Sequence, residues 1–146
     1  MRIVRAGETE ARDWLAQRRT LWPEGSDDEH RADIAALGKK GAACFLAYAP
    51  DGSVAGFAEA SLRRDYVNGC STSPVGFLEG LHVEPRWRRQ GVARLLVRAV
   101  ERWALSQGCS ELASDVLAGN REGLQTHAAL GFEETDSVVY FRKPLV

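Results

Sequence analysis

Cysteine is scarce in this chain of 146 residues. Cys44, Cys70 and Cys109 are an odd number, widely spaced and in no CxxC pair. A disulfide framework and a cysteine-based zinc site are therefore excluded, and no metal is expected. Three small, mostly buried thiols in a reducing cytoplasm are the expectation. No apolar run approaches the roughly 20 residues that cross a bilayer. The opening segment Met1–Glu10 lacks the apolar centre of a secretory signal. Charge of one sign is not in excess either: 19 Lys and Arg face 20 Asp and Glu. A net charge of -1 gives no global attraction to nucleic acid or to an anionic membrane. The P-loop string GxxxxGKS/T and the dinucleotide turn GxGxxG are both missing, which removes the signatures of nucleoside triphosphate and NAD binding. No repeat, low-complexity tract or Pro/Gly/Ser-rich linker divides the chain, so residues 1–146 read as one domain.

What is present has the composition of an ordinary globular protein, 45% hydrophobic and 27% charged. Arg2–Arg5 predicts a short strand, and Thr9 can cap a helix carrying Ala11, Trp14, Leu15 and Arg18 at helical spacing. Pro23 and Gly25 make Leu21–Ser26 a loop, after which Ser26 or Asp27 starts a second helix. Ala43–Ala49 and Val54–Leu62 flank Pro50-Asp51-Gly52, the pattern of a hairpin. Val75–Glu84 alternates as a strand with Val75, Phe77, Glu79, Leu81 and Val83 on one face. Gly91–Gln107 is the clearest helix, with Val92, Leu95, Leu96, Ala99, Val100 and Trp103 on one broad apolar stripe. Glu111–Val116, Asn120–Leu130 and Val138–Arg142 complete the series as strand, helix and strand. This order is α/β with mixed strand directions.

The most informative stretch is Val83-Glu84-Pro85-Arg86-Trp87-Arg88-Arg89-Gln90-Gly91-Val92-Ala93. It carries a strand end, a basic loop and a small-residue turn into the long helix. A helix's first turn offers N–H groups without intrahelical partners and a positive dipole end. Gly91 and Ala93 let a pyrophosphate approach that backbone, and Arg86, Arg88, Arg89 and Arg94 add charge around it. The competing reading is a solvated basic loop.

Acidic side chains form the second constellation. Glu79 falls on an otherwise apolar strand face, where a carboxylate must be paired, hydrated or used; Arg63 or Arg64 is the candidate partner. Gly80 beside it suggests a bulge. Asp115 falls near the carboxyl end of the next strand, where open sheets place ligands. Asp136 precedes the last strand, and Asp27, Asp28 and Glu29 lie beside the Trp22 loop. Together such carboxylates would attract a polycationic ligand, and Trp22 and Tyr66 could offer flat faces to sugars or amines. Taken singly, each acid also reads as a surface group and each aromatic as core.

The turn resembles the acetyl-CoA motif of the GNAT N-acetyltransferases, Arg/Gln-x-x-Gly-x-Gly/Ala after a strand, on Arg88, Gly91 and Ala93. Asn120, His127 and Gly131-Phe132 match a second element of that family. The resemblance implies a mixed, mostly antiparallel sheet flanked by helices and splayed where acetyl-CoA binds as cosubstrate. It implies pyrophosphate contacts from Arg88, Arg89, Gln90, Gly91, Val92, Ala93 and Arg94, and pantetheine contacts from the backbone of Leu81, His82 and Val83. Asn120 would lie near the thiol. His127 departs from the family's tyrosine, which protonates the leaving thiolate; a packed histidine is the alternative at this position.

A closer resemblance, to aminoglycoside 6'-N-acetyltransferases, rests on longer strings. These are Leu21-Trp22-Pro23, Asp65-Tyr66-Val67-Asn68-Gly69, Phe77-Leu78-Glu79-Gly80, Ala113-Ser114-Asp115 and Leu130-Gly131-Phe132-Glu133-Glu134. It implies acetylation of the 6'-amine of an aminoglycoside, hence antibiotic resistance. Substrate contacts would come from Trp22, Gly25, Tyr66, Glu79, Asp115 and Asp136, with Glu79 or Asp115 as the catalytic carboxylate working through water. The implied reaction is direct transfer without an acyl-enzyme, and a homodimer is expected. The alternatives are acetylation of another amine (a polyamine, an amino acid or a protein N-terminus) and a non-catalytic acyl-CoA-binding protein. Nucleic acid and membranes are not expected partners.

Overall fold

The computed structural model of the chain describes residues 1–39 and 41–146. Its centre is a five-stranded sheet of Arg2–Arg5 (β1), Ala42–Tyr48 (β2), Val54–Arg63 (β3), Val75–Val83 (β4) and Leu112–Ser114 (β5), in that spatial order. β1 to β4 run antiparallel and β5 lies parallel to β4. The β2–β3 turn is held locally. Asp51 accepts hydrogen bonds from the Ser53 N–H and hydroxyl, and Gly52 takes the left-handed conformation (φ 87°) that the turn requires.

Alternation along the strands splits the core in two. Ala43, Phe45, Ala47, Ala58, Ala60 and Leu78 face the long helix Val92–Ser106 (α3), whose Val92, Leu96, Val97, Val100, Trp103 and Ala104 are buried against them. The small strand residues let this helix lie close: a Cβ at Gly76 would stand 2.9 Å from that of Ala104. Cys44, Leu46, Tyr48 and Phe57 face the other way, toward Trp14 of Ala11–Leu21 (α1), with Ile34 and Leu37 of Asp27–Leu37 (α2) packed alongside. Helix starts follow capping chemistry. Ser26 Oγ accepts from Glu29 N–H at 3.1 Å, and Asn120 Oδ1 accepts from Gly123 N–H at 3.0 Å to open Arg121–Ala129 (α4).

Three expectations change. Thr9 is not a cap but lies inside a 3-10 turn, Glu8–Glu10, that leads into α1; Glu10 reaches back to the Gly7 N–H instead. β5 is three residues long rather than six, because its pairing with β4 ends at Leu78 and Ser114. No strand forms over Val138–Arg142: residues 132–146 have no regular structure, and Tyr140 and Phe141 are 83% and 93% exposed. A run of β-branched and aromatic residues such as Val138-Val139-Tyr140-Phe141 suits a strand but does not supply its neighbour, and a strand without a hydrogen-bonded partner has little stability of its own.

Candidate active site

Two features of β4 shape the centre of the molecule. Glu59 pairs with Gly80 and Ala60 with Leu78, so Glu79 has no residue opposite it and bulges from the ladder. On the other edge the β5 ladder stops at Leu78, which leaves Leu81, His82 and Val83 paired only to Ala58, Phe57 and Gly56 of β3. β4 and β5 therefore part as a cleft whose β4 wall is unpaired backbone, the geometry in which an extended ligand can add as a strand. His82 contributes main chain alone to that wall. Its imidazole lies toward Glu84, which bonds Gln17 of α1, and burial lowers its pKa.

At the far end of β4 the chain turns through Pro85–Trp87 into α3. Gly91, at φ 82°, is the N-cap residue, and no side chain caps the first turn of the helix. Arg89, two residues before the cap, also takes a left-handed conformation (φ 61°). The four arginines do not converge as expected. Arg86 pairs with Asp51 at 3.1 Å and stacks on Trp87, Arg88 donates to the Val83 carbonyl at 2.9 Å, and Arg94 donates to the Ala129 carbonyl at 3.1 Å. Among the described residues only Arg89 of the four has no polar partner. The anion-binding capacity here is chiefly that of main chain and helix dipole.

On the other side of the sheet a cavity of about 450 Å³ is lined by Arg18, Trp22, Asp33, Leu37, Glu59 and Glu79. The Glu79 carboxylate is not inward on an apolar face as its alternation suggested, since the bulge turns it to the surface. There it accepts from Ser61 Oγ at 2.6 Å and from Arg63, whose Nη2 is 3.0 Å from both oxygens. The foreseen Arg63 partner is thus real. Asp115 directly follows Ser114, the residue opposite Leu78, which places it across the mouth of the cleft from Glu79. Its side chain is exposed and bonds no other described residue.

Trp22 is half-buried, edge-on to Phe57 and packed over Gly80, where a Cβ would stand 2.6 Å from the indole. Gly25 fits against the His30 ring. Tyr66 is fully on the surface, in the loop between β3 and β4. Asp136, also exposed, is brought to the same loop because its neighbour Thr135 packs on Gly69. The structure thus brings Trp22 and Glu79 to one cavity, leaves Asp115 on the neighbouring strand end, and brings the segment of Asp136 to the loop of Tyr66 as a second region. Glu111 steadies that loop by accepting from the Ser71 and Thr72 N–H groups at 2.9 Å each and from the Thr72 hydroxyl.

His127 is held on both sides. Nδ1 lies 2.7 Å from the Gly123 carbonyl, which only accepts, so Nδ1 carries a proton, while Nε2 lies 2.8 Å from Ser114 Oγ, whose hydroxyl also lies 3.4 Å from the Leu78 carbonyl. The ring also packs on Phe132. Asn120 spends its carbonyl oxygen on the α4 cap. The cysteines offer no activated nucleophile: burial raises the pKa of Cys44, Cys70 and Cys109 alike.

Sequence reasoning missed the most buried carboxylate among the described residues, Glu59, 2% exposed and bonded to Trp14 and Arg18. The available signal was one glutamate inside the apolar run Ala55–Ala60.

A strand bulge, a cleft between parting parallel strands and an open helix turn beyond it suit an extended ligand that ends in an anionic group. The profile of the acetyltransferase (GNAT) family matches residues 9–132, and the chain belongs to that family. Its relatives narrow the class. It is 51% identical over 133 residues to an aminoglycoside N(6')-acetyltransferase type 1 of Serratia marcescens, covering 90% of this chain and 91% of that one. It is 47% identical to the protein of the same description from Salmonella enteritidis, over 98% and 99% of the two chains. Among solved structures it superposes on AAC(6')-Iy in complex with the bisubstrate analogue CoA-S-monomethyl-acetylneamine, with a TM-score of 0.94, 46% identity and coverage of 98% and 97%. The apo structure of AAC(6')-IG from Acinetobacter haemolyticus superposes with a TM-score of 0.93 and 44% identity over the whole of both chains.

Proposed function

We propose that this chain transfers the acetyl group of acetyl-CoA to the 6'-amine of aminoglycoside antibiotics, and so confers resistance to them. The observation that carries the reading is the β4–β5 cleft, which runs between an uncapped, glycine-entered helix turn and a carboxylate-bearing mouth. Likeness to relatives named for this activity, and to one solved with a CoA–aminoglycoside analogue, supports it. Residues 1–146 act as one catalytic domain.

In this reading the pyrophosphate sits on the N–H groups of Arg88–Arg94, and the pantetheine arm pairs with the free edge of Leu81–Val83. Asn120 lies near the thiol through its free amide nitrogen. The thioester carbonyl then points to the N–H near Leu81, which polarises it. The aminoglycoside enters over Trp22, Gly25 and Tyr66 with its ammonium groups toward Glu79, Asp115 and Asp136. An ammonium is not a nucleophile. A water held by Asp115 or Glu79 relays the proton away, and the free amine attacks the thioester carbon. Collapse of the tetrahedral intermediate breaks the C–S bond, and the proton shed by the attacking nitrogen ends on the leaving sulfur, so that CoA departs as its thiol. Substrate ammonium groups compete with Arg63 for Glu79, so the Arg63 pair also closes the acid when no acceptor is bound.

The protein works as a homodimer. The Val138–Phe141 segment is a continuous apolar run, stands exposed, and lies after a sheet whose last strand β5 is an open edge. A second copy supplies the cover for both. Among the described residues no helix is long and apolar enough to cross a membrane, and the cytoplasm, where acetyl-CoA is made and used, is the compartment that suits the reaction. The test is thiol release from acetyl-CoA with kanamycin and with a 6'-hydroxyl aminoglycoside. Release with the first and none with the second is expected. Release with neither, or equally with both, would overturn the assignment.

A further inference from the structure

A largely buried polar network of Arg18, Glu59, Trp14 and His30 lines and backs the acceptor cavity beside Trp22. Both oxygens of Glu59 accept from Arg18 Nη1, at 2.6 and 2.7 Å, and Oε1 also takes the Trp14 indole N–H at 2.6 Å. Arg18, 6% exposed, gives Nη2 to Asp33 at 2.7 Å and Nε to His30 Nδ1 at 3.2 Å. Because Nδ1 accepts, Nε2 of the neutral ring holds the proton, and it donates to the Trp22 carbonyl at 3.0 Å. The same guanidinium lies over the Trp22 ring, 4.6 Å from its centroid. Two buried residues therefore grip Trp22 at two points, Arg18 by the ring face and His30 by the main chain.

The surroundings are cut to this arrangement. Gly25 leaves room for the His30 ring, which a Cβ would meet at 2.9 Å, and Gly80 leaves room for the indole. Fastening α1 to the sheet does not need ions. Apolar side chains of similar volume hold helices as well, since taking an arginine and a glutamate out of water opposes folding until every bond is made. What apolar packing lacks is direction. An arginine's planar fork fixes the orientation of each partner, and here the last link of the chain is an aromatic wall of the cavity that holds Glu79.

We propose that Arg18 and His30 are positioning residues for the acceptor: they hold the Trp22 indole at one angle, so that a sugar ring stacks with its amine directed at the carboxylates. This rests on the reading of Trp22 as an acceptor contact. The two residues touch neither acetyl-CoA nor the reacting atoms, so their effect belongs to acceptor binding and not to the coenzyme.

The test uses full-length His30→Ala, His30→Gln and Trp22→Ala, with kanamycin kinetics and the indole N–H resonances of the four tryptophans. His30→Ala is expected to raise the KM for kanamycin about tenfold with the acetyl-CoA KM unchanged, and to shift or split the Trp22 resonance but not those of Trp87 and Trp103. His30→Gln, whose amide reaches the place of Nε2, should recover most of both. Adding His30→Ala to Trp22→Ala should cost nothing further, because the two act through one wall. An unmoved Trp22 resonance in His30→Ala, additive losses in the double variant, or an acetyl-CoA KM that rises in step would overturn the positioning role. A moved resonance with an unchanged kanamycin KM would instead overturn the reading of Trp22 as an acceptor contact.

Discussion

The two ends of the cleft are made of different material. In the proposed reading one end takes the coenzyme and the other the acceptor, and the coenzyme end is main chain: the free edge of Leu81–Val83, the left-handed Arg89 and Gly91, and the open first turn of α3. Its arginine side chains mostly turn elsewhere, Arg86 to Asp51 and Arg94 to the Ala129 carbonyl. The acceptor end is side chain: Glu79 on its bulge, Asp115, Asp136 and the gripped indole of Trp22. A backbone site is set by conformation, so few substitutions abolish it. A side-chain site is set by functional groups, so removing one group changes specificity or rate directly.

Substitutions can break or sharpen that contrast. The largest effect is expected at Asp115, whose carboxylate no other described side chain engages. Asp115→Asn should lower kanamycin turnover by about 100-fold, in the usual range for loss of a proton-transfer group, with CoA affinity unchanged by calorimetry. Retained turnover would remove Asp115 from the mechanism. Next comes Gly91→Val. In the structure a Cβ at Gly91 meets nothing within 4 Å, so the cost lies in its φ of 82° and in the approach of the phosphate. CoA binding should weaken about tenfold; unchanged affinity would mean the pyrophosphate lies elsewhere.

Removal of residues 133–146 tests the tail, and with it Asp136. The shortened protein should sediment as a monomer and lose about fivefold in kcat/KM for kanamycin, the size of a rim charge contribution. A shortened protein that remains dimeric would place the interface on another face. Arg86→Ala should be mild, within about twofold of wild type in CoA affinity, because its charge is already spent on an exposed pair with Asp51.

A smaller effect still concerns the Tyr66 loop. The Thr72 hydroxyl, then the Ser71 N–H, hold the Glu111 carboxyl below its ordinary pKa. A depressed carboxylate stabilises the fold in full above its unfolded value, and that contribution disappears as pH falls through the folded value. Thermal stability of the wild type should therefore fall more than that of Glu111→Gln on acidification below the ordinary carboxylate range. Parallel curves would show that Glu111 does not anchor the loop.

Legibility in the sequence followed the same division. The α3 stripe, the β2–β3 turn and the Ser26 cap are local, each dictated by residues within one or two turns of chain, and all were read correctly apart from Leu95 and Val97 exchanging depth. Gly80 flagged the bulge, but the bulge's consequence, a surface Glu79 bonded to Arg63 and Ser61, depended on which strand lay beside it. Glu59 was overlooked because a glutamate between Ala58 and Ala60 gives no hint of an arginine 41 positions earlier. The Val138–Arg142 strand failed because its apolar residues suit a strand but nothing in the local sequence supplies a neighbour to pair with.

By itself, the order of residues determined the periodicities, the turns and the glycine-entered helix start, since each depends on torsion angles and hydrogen bonds between near neighbours. Only the tertiary structure decided which carboxylates stand alone and which are paired, where β4 and β5 part, and how Arg18 and His30 reach Trp22. Electrostatic and packing partners act through space, and Arg18 meets Glu59 only after α1 has settled on the sheet.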